Sequence, residues 1–130
     1  HDFFELIPGI NVAGIDISQY AIDNCMESVK SKVQVANAID LPFEDNFFDY
    51  VISINTIHNL PKQECSQALR EIERVSRLGS FITVDAYRND EEKERMYAWN
   101  LTAKTIMPVS DWVAFFDESG YTGDYYWFIP

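Results

Sequence analysis

The chain has 130 residues, enough for one domain and too few for two independent cores. Hydrophobic residues make up 47% and aromatics 15%, which excludes a disordered chain. A formal net charge of −11 opposes polyanions, because phosphate groups attract Lys- and Arg-rich faces, so neither nucleic acid nor an anionic membrane is expected as a partner.

Residues 2–7 read as the tail of a helix stopped by Pro8-Gly9. Residues 11–17, Asn-Val-Ala-Gly-Ile-Asp-Ile, form a short apolar run suited to a strand buried on both faces. Ser18 is placed to cap a helix whose stripe, Ala21, Ile22, Cys25, Met26 and Val29, follows a period of 3.6. Val33 to Ala36 predicts a second strand, and the loop after it carries Pro42 and the polar triplet Glu44-Asp45-Asn46. Phe48 to Ile54, rich in β-branched and aromatic residues, predicts a third.

Pro61 suits the first turn of a helix running to about Arg77, with Cys65, Ala68, Leu69, Ile72 and Val75 on its apolar side and Gly79 as its C-cap. Phe81 to Val84 predicts a fourth strand. Asn89 or Asp90 caps a helix over Glu91–Met107, with Met96, Trp99, Ala103 and Ile106 on one side and Pro108 as the break. Ser110 opens a last helix, Asp111–Ser119, closed by Gly120, and Tyr125 to Ile129 predicts a final strand.

The two cysteines, Cys25 and Cys65, fall on helical stripes and read as buried free thiols. His1 and His58 form no cluster with them, so no metal site is expected. No apolar run approaches the ~20 residues that span a bilayer, and the start lacks the basic, small-residue pattern of a signal peptide. A cytoplasmic location is the expectation.

Strands alternating with helices predict crossover units and a mainly parallel sheet, in which ligands sit outside the carboxyl ends of the strands. Asp16 ends the first strand, where a carboxylate suits two vicinal hydroxyls, or simply a helix N-terminus. Asn37 follows the second, where its amide suits an exocyclic amine or an ordinary turn, with Ala38 and Ile39 offering an apolar surface to a flat ring. Asn55, Thr56 and His58 follow the third, and His58 is either a proton acceptor or a packed side chain.

In their order, Val12-Ala13-Gly14-Ile15-Asp16-Ile17-Ser18, Asn37-Ala38-Ile39-Asp40-Leu41-Pro42-Phe43 and Phe47-Phe48-Asp49-Tyr50-Val51-Ile52-Ser53 resemble the class I S-adenosylmethionine-dependent methyltransferases. The branch they resemble is that of ubiquinone and menaquinone biosynthesis. Leu69-Arg70-Glu71-Ile72-Glu73-Arg74-Val75, leading through Gly79 into a strand, looks like that family's helix and turn before its fifth strand. The resemblance covers about residues 3–85 by motif and is architectural beyond Tyr87.

It implies a Rossmann-like α/β domain over residues 1–130, with 1–87 as the cofactor-side core and 88–130 as variable substrate-side helices and a final strand. It implies S-adenosylmethionine as cofactor, with Asp16 on the ribose hydroxyls and Asn37 on the adenine amine. Ile17 would wall one side of the adenine, Ala38 and Ile39 the other. Asn55 would stand on the rim where the methionine portion and a small-molecule acceptor meet. His58, Tyr97 and Trp99 are the substrate-side candidates; the aromatic segment from Tyr97 to Trp112 is either an acceptor wall or packing. No residue is singled out as catalytic. Asp40, three positions after Asn37, is expected to face elsewhere.

The family's glycine-rich loop, which cradles the cofactor's methionine end through backbone N–H groups, has no counterpart here. Phe3-Phe4-Glu5-Leu6 looks like the helix that follows that loop. The resemblance therefore implies a central strand and loop missing before His1, and a last strand without a counterpart after Pro130. Edges left open in such a sheet pair with each other or with a second copy in a homodimer. Weak cofactor binding is then expected, and a non-catalytic remnant working through self-association or a binding partner is the alternative. A nicotinamide-dependent dehydrogenase fragment would suit Asp16 equally, but the Asn37–Phe43 and Phe48–Ser53 segments argue against it.

Overall fold

A computed structural model of the chain describes residues 14–16, 33–54, 56–100 and 103–130. The helices expected over residues 2–7 and after Ser18 lie outside these, as do Ile17 and Asn55. The chain forms two compact units, His1–Leu41 and Pro42–Pro130.

In the first unit, β1 (Gly14–Asp16) and β2 (Val33–Val35) pair in parallel, with Gly14 opposite Val33 and Asp16 opposite Val35. A parallel pair needs a crossover connection rather than a tight hairpin, in keeping with the chain length between these strands. Beyond β2, Asn37 and Asp40 form an isolated antiparallel bridge.

The second unit runs β3 (Phe48–Ile54), a 3-10 turn (Ile57–Asn59), α1 (Lys62–Val75), β4 (Ser76–Tyr87), α2 (Asp90–Trp99), β5 (Met107–Pro108), α3 (Val109–Glu118) and β6 (Asp124–Phe128). β4 is its central strand. Phe81 pairs with Ile52 of β3 and with Asp124 of β6, so these strands flank β4 on opposite sides, and both run parallel to it. β5 adds a short parallel pairing at Ala86 and Tyr87.

The core lies on one face of β4. Ser80, Ile82, Val84 and Ala86 alternate along the strand and are all buried. Against them pack α1, through the expected stripe of Cys65, Ala68, Leu69, Ile72 and Val75, and α3, through Trp112, Phe115 and Phe116. The parallel α/β architecture matches the expectation.

Three local expectations are corrected. α1 ends at Val75, and Gly79 is a strand residue rather than a helix cap. Strand pairing takes over at once, since Ser76 is already in register with Phe48. Gly79 stands opposite Tyr50, where a Cβ would come 3.1 Å from the ring. The helix expected to reach Met107 stops at Trp99. The Asn100 side chain accepts from the Ala103 N–H at 2.8 Å and donates to the Ala103 carbonyl at 3.1 Å, offering the backbone a turn in place of another helical step. The fourth strand is longer than Phe81–Val84, and Met107–Pro108 form a strand of their own.

The ends expected at Asn89 and Gly120 hold, whereas Ser110 does not open α3, which starts at Val109 after Pro108 without a side-chain cap. The Asn89 side chain accepts from the Glu92 N–H at the start of α2, and Gly120, at φ 73°, follows the end of α3. No described helix is long and apolar enough to cross a membrane.

Candidate functional site

Asp16 is the last residue of β1 and is level with Val35, the last of β2, so Asp16 and Asn37 belong to the same end of one two-stranded sheet. Asn37 builds the turn after β2 with its own side chain. Its Oδ1 accepts from the Ile39 N–H at 3.1 Å, and its backbone carbonyl accepts from the Asp40 N–H at 3.0 Å. This turn keeps Asn37, Ala38 and Ile39 half-buried, within reach of a ligand, while Asp40 is exposed.

In the second unit, Thr56 follows the carboxyl end of β3 and donates its hydroxyl to the Ile54 carbonyl at 2.8 Å. The next turn buries Ile57 and His58. His58 Nε2 lies 3.3 Å from Asp85 Oδ2, and His58 Nδ1 accepts from the Asp85 N–H at 3.4 Å. Both ring nitrogens thus face one residue, and the imidazole is only 4% exposed. A proton acceptor needs a free nitrogen within reach of substrate, so this geometry gives His58 a holding task instead.

What it holds is a knot of backbone. The His58 carbonyl accepts from the N–H groups of Lys104 and Thr105, and the Thr105 hydroxyl donates to the Leu60 carbonyl. The Asp85 carbonyl accepts from Trp112 Nε1 at 3.0 Å. Among the described residues, Asp85 Oδ1 is buried without a hydrogen-bond partner. Burial lowers the His58 pKa and raises that of Asp85, each countered in part by the other's charge. Cys65, buried beneath the same turn, donates to the Ile57 carbonyl, and burial pushes its thiol up to about 11, so it is not a ready nucleophile.

Asp85 is the residue that sequence reasoning missed. The available signal was a carboxylate inside the apolar run Phe81-Ile82-Thr83-Val84-Asp85-Ala86. Trp112, at the end of the proposed acceptor wall, is core. Tyr97 and Trp99 are both exposed on α2, but at two residues' spacing a helix turns them to different sides. Trp99 packs on Phe128 with ring centroids 4.9 Å apart. Among the described residues, no three His, Cys, Asp or Glu side chains form a metal cluster.

These strand ends, read in order, define a class. The model of the family described as "Methyltransferase domain" matches residues 3–84, and the chain belongs to that family. The chain is 31% identical over 114 residues to the tRNA (carboxymethyluridine(34)-5-O)-methyltransferase of Arabidopsis thaliana, a match covering 85% of this chain and 27% of that protein. It is 30% identical over 122 residues to the demethylmenaquinone methyltransferase of Symbiobacterium thermophilum, covering 85% and 46% respectively. The chain therefore spans less than half the length of both relatives. Its fold is that of the YcgJ protein of Bacillus subtilis, with a TM-score of 0.67 at 17% identity over 86% of this chain and 53% of that one. The class I methyltransferase resemblance of residues 3–85 is thus correct, and S-adenosylmethionine is the cofactor of that class.

Proposed function

We propose that the chain is part of an enzyme that transfers a methyl group from S-adenosylmethionine to a small-molecule acceptor. The family match across residues 3–84 carries this reading, because it spans the segments that bring Asp16 and Asn37 to one sheet end. Asp16 takes the ribose hydroxyls, and Ile17, Ala38 and Ile39 enclose the adenine. Asn37 fits the adenine amine: Ile39 uses one lone pair of Oδ1, and an amide oxygen has a second. The family resemblance assigns Asn55, which lies outside the described residues, to the rim toward the acceptor.

When bound, the cofactor supplies an electrophilic methyl group on a sulfonium sulfur. The chain's own contribution is alignment and exclusion of water, and alignment alone is worth several orders of magnitude in rate. His58 and Asp85 act by holding the turn after β3 against the carboxyl end of β4. No general base is assigned.

Without a glycine-rich loop among its 130 residues, the chain holds the adenosine end better than the methionine end. Isothermal titration tests this. The expected result is weak binding of S-adenosylmethionine, with a Kd above ~100 μM, matched by adenosine and abolished by Asp16→Ala. Micromolar binding of the cofactor, or no binding of adenosine at millimolar concentration, overturns it.

One observation favours the second reading, self-association. Among the described residues β3 pairs on one side only, and its Tyr50, Ile52 and Ile54 are each at least half exposed. A clean monomer on size-exclusion chromatography would remove it.

A further inference from the structure

The sheet of the second unit has two faces of opposite character. One is the core face, against which α1 and α3 pack. The other is traced through the register: Ile52 of β3 lies beside Phe81 of β4, Ile54 beside Thr83, and Thr83 beside Tyr126 of β6. Partners in a ladder point to the same side, and residues two apart on a strand share it. β6 agrees, since Tyr125 and Trp127 both reach the ring of Phe116 on α3, which turns Tyr126 between them away from the core. Tyr50, Ile52, Ile54, Phe81 and Tyr126 therefore form one surface across three adjacent strands.

This surface is bare. Its five large side chains are each between 37 and 68% exposed. Toward the carboxyl ends it is closed by Trp99, which packs on Phe128, the ladder partner of Asp85. At roughly 200 Å² for a fully exposed side chain of this size, the open part amounts to about 500 Å². That is the upper end of what a monomer leaves bare. Two such faces pressed together remove about 1,000 Å² from water, the size at which a specific interface begins. The chemistry also suits a copy of itself. Among the described residues, the three rows from Tyr50 to Ile54 hold no Lys or Arg, and Asp124, beside Phe81, is their one acid. Aromatic side chains at the centre and few charges are the composition of an interface core.

We infer that this face packs against the same face of a second copy, sheet on sheet, in a closed two-fold dimer. Sheets packed in this way lie about 10 Å apart. An isologous contact covers both faces and leaves none for a third copy. The inference rests on the self-association reading, but it places the contact on the face of the sheet rather than on the edge of β3. The two contacts separate at Phe81. β4 is paired on both sides, by β3 and by β6, so its residues take no part in pairing through an open edge.

The test is sedimentation of the 130-residue chain over a range of concentrations. A monomer–dimer equilibrium is expected, with a Kd of roughly 10 μM and no larger species. Each copy carries a net charge of −11, so the dimer should tighten several-fold as salt screens the repulsion. Phe81→Lys and Tyr126→Lys should each weaken it about tenfold or more, because each carries a charge into the contact. Val113→Lys, at an exposed position on α3, serves as the control and should leave it unchanged. Near-UV circular dichroism checks that the variants fold, and Tyr126→Lys carries the test of the face if Phe81→Lys does not.

A monomer at every concentration overturns the inference together with the self-association reading. If Phe81→Lys then lowers the Tm of that monomer by several degrees, the face is covered by another segment of the same chain. A dimer indifferent to both Lys variants on the face overturns the inference and leaves self-association to the edge of β3. Species larger than a dimer, or a dimer that loosens with salt, also overturn it. None of these outcomes bears on the methyl-transfer reading.

Discussion

Asp85 occupies a strand position where the surrounding pattern calls for another aliphatic side chain. Its carbonyl is the acceptor for Trp112, and its carboxylate faces His58, so one residue ties together the turn after β3, the central strand and α3. Trp112→Phe removes the indole donor and leaves a buried carbonyl unpaired. A loss of about 2–3 kcal/mol is expected, read from the urea midpoint and slope. A loss below about 0.5 kcal/mol would show that the bond contributes nothing net.

His58 was legible as a candidate because it follows a strand end, but its partner lies on another strand, and no local spacing announces such a pair. Glu92 gives the pH dependence at this scale. Its hydrogen bonds to Arg88 hold its pKa at about 2, below the ordinary 4.5. A depressed carboxylate contributes stability above the unfolded pKa and loses it as pH falls through the folded one. The stability difference between the wild type and Glu92→Gln should therefore shrink as pH is lowered from about 4.5 to about 2; a gap that stays constant would contradict the Arg88 contact.

Elements were readable where hydrophobic periodicity and pairing agree. Phe48–Ile54 is a strand at the expected residues, and the five-residue stripe of α1 is buried as its spacing predicts. Ends were less readable where a side chain or a neighbouring strand decides them. Asn100 closes a turn that helical periodicity carries straight through, and Ser76 enters a ladder whose partner is distant in sequence. The stop at Gly120 was readable because it depends on one residue's backbone. At φ 73° with open space around it, Gly120→Ala costs only the left-handed conformation, about 1 kcal/mol, measurable as a drop of several degrees in Tm. Asn89→Ala, losing the bond to the Glu92 N–H, is expected to cost a similar ~1 kcal/mol by the same measurement.

At the scale of the molecule, charge and topology say different things. A net charge of −11 favours small, uncharged ligands over nucleic acid, although one curated relative is named as a tRNA methyltransferase. Filter binding of tRNA to this chain at physiological salt should show no retention at micromolar protein, and a salt-sensitive micromolar Kd would overturn that reading. Legibility was greatest here: alternating patterns announced a parallel sheet, while Pro42 and the polar triplet Glu44-Asp45-Asn46 announced a loop but not the division into two compact units at Leu41 and Pro42.

Because β4 is held on one side by β3 and on the other by β6, every pairing it makes joins residues far apart in the chain. Helices can form before such contacts, but the sheet cannot reward early local structure. Folding is thus governed by the closure of long loops, and its rate belongs with slow, non-local topologies rather than with helical bundles of equal length. Until β6 arrives, the central strand presents an open edge, and that interval is when the chain is most exposed to pairing with a copy of itself.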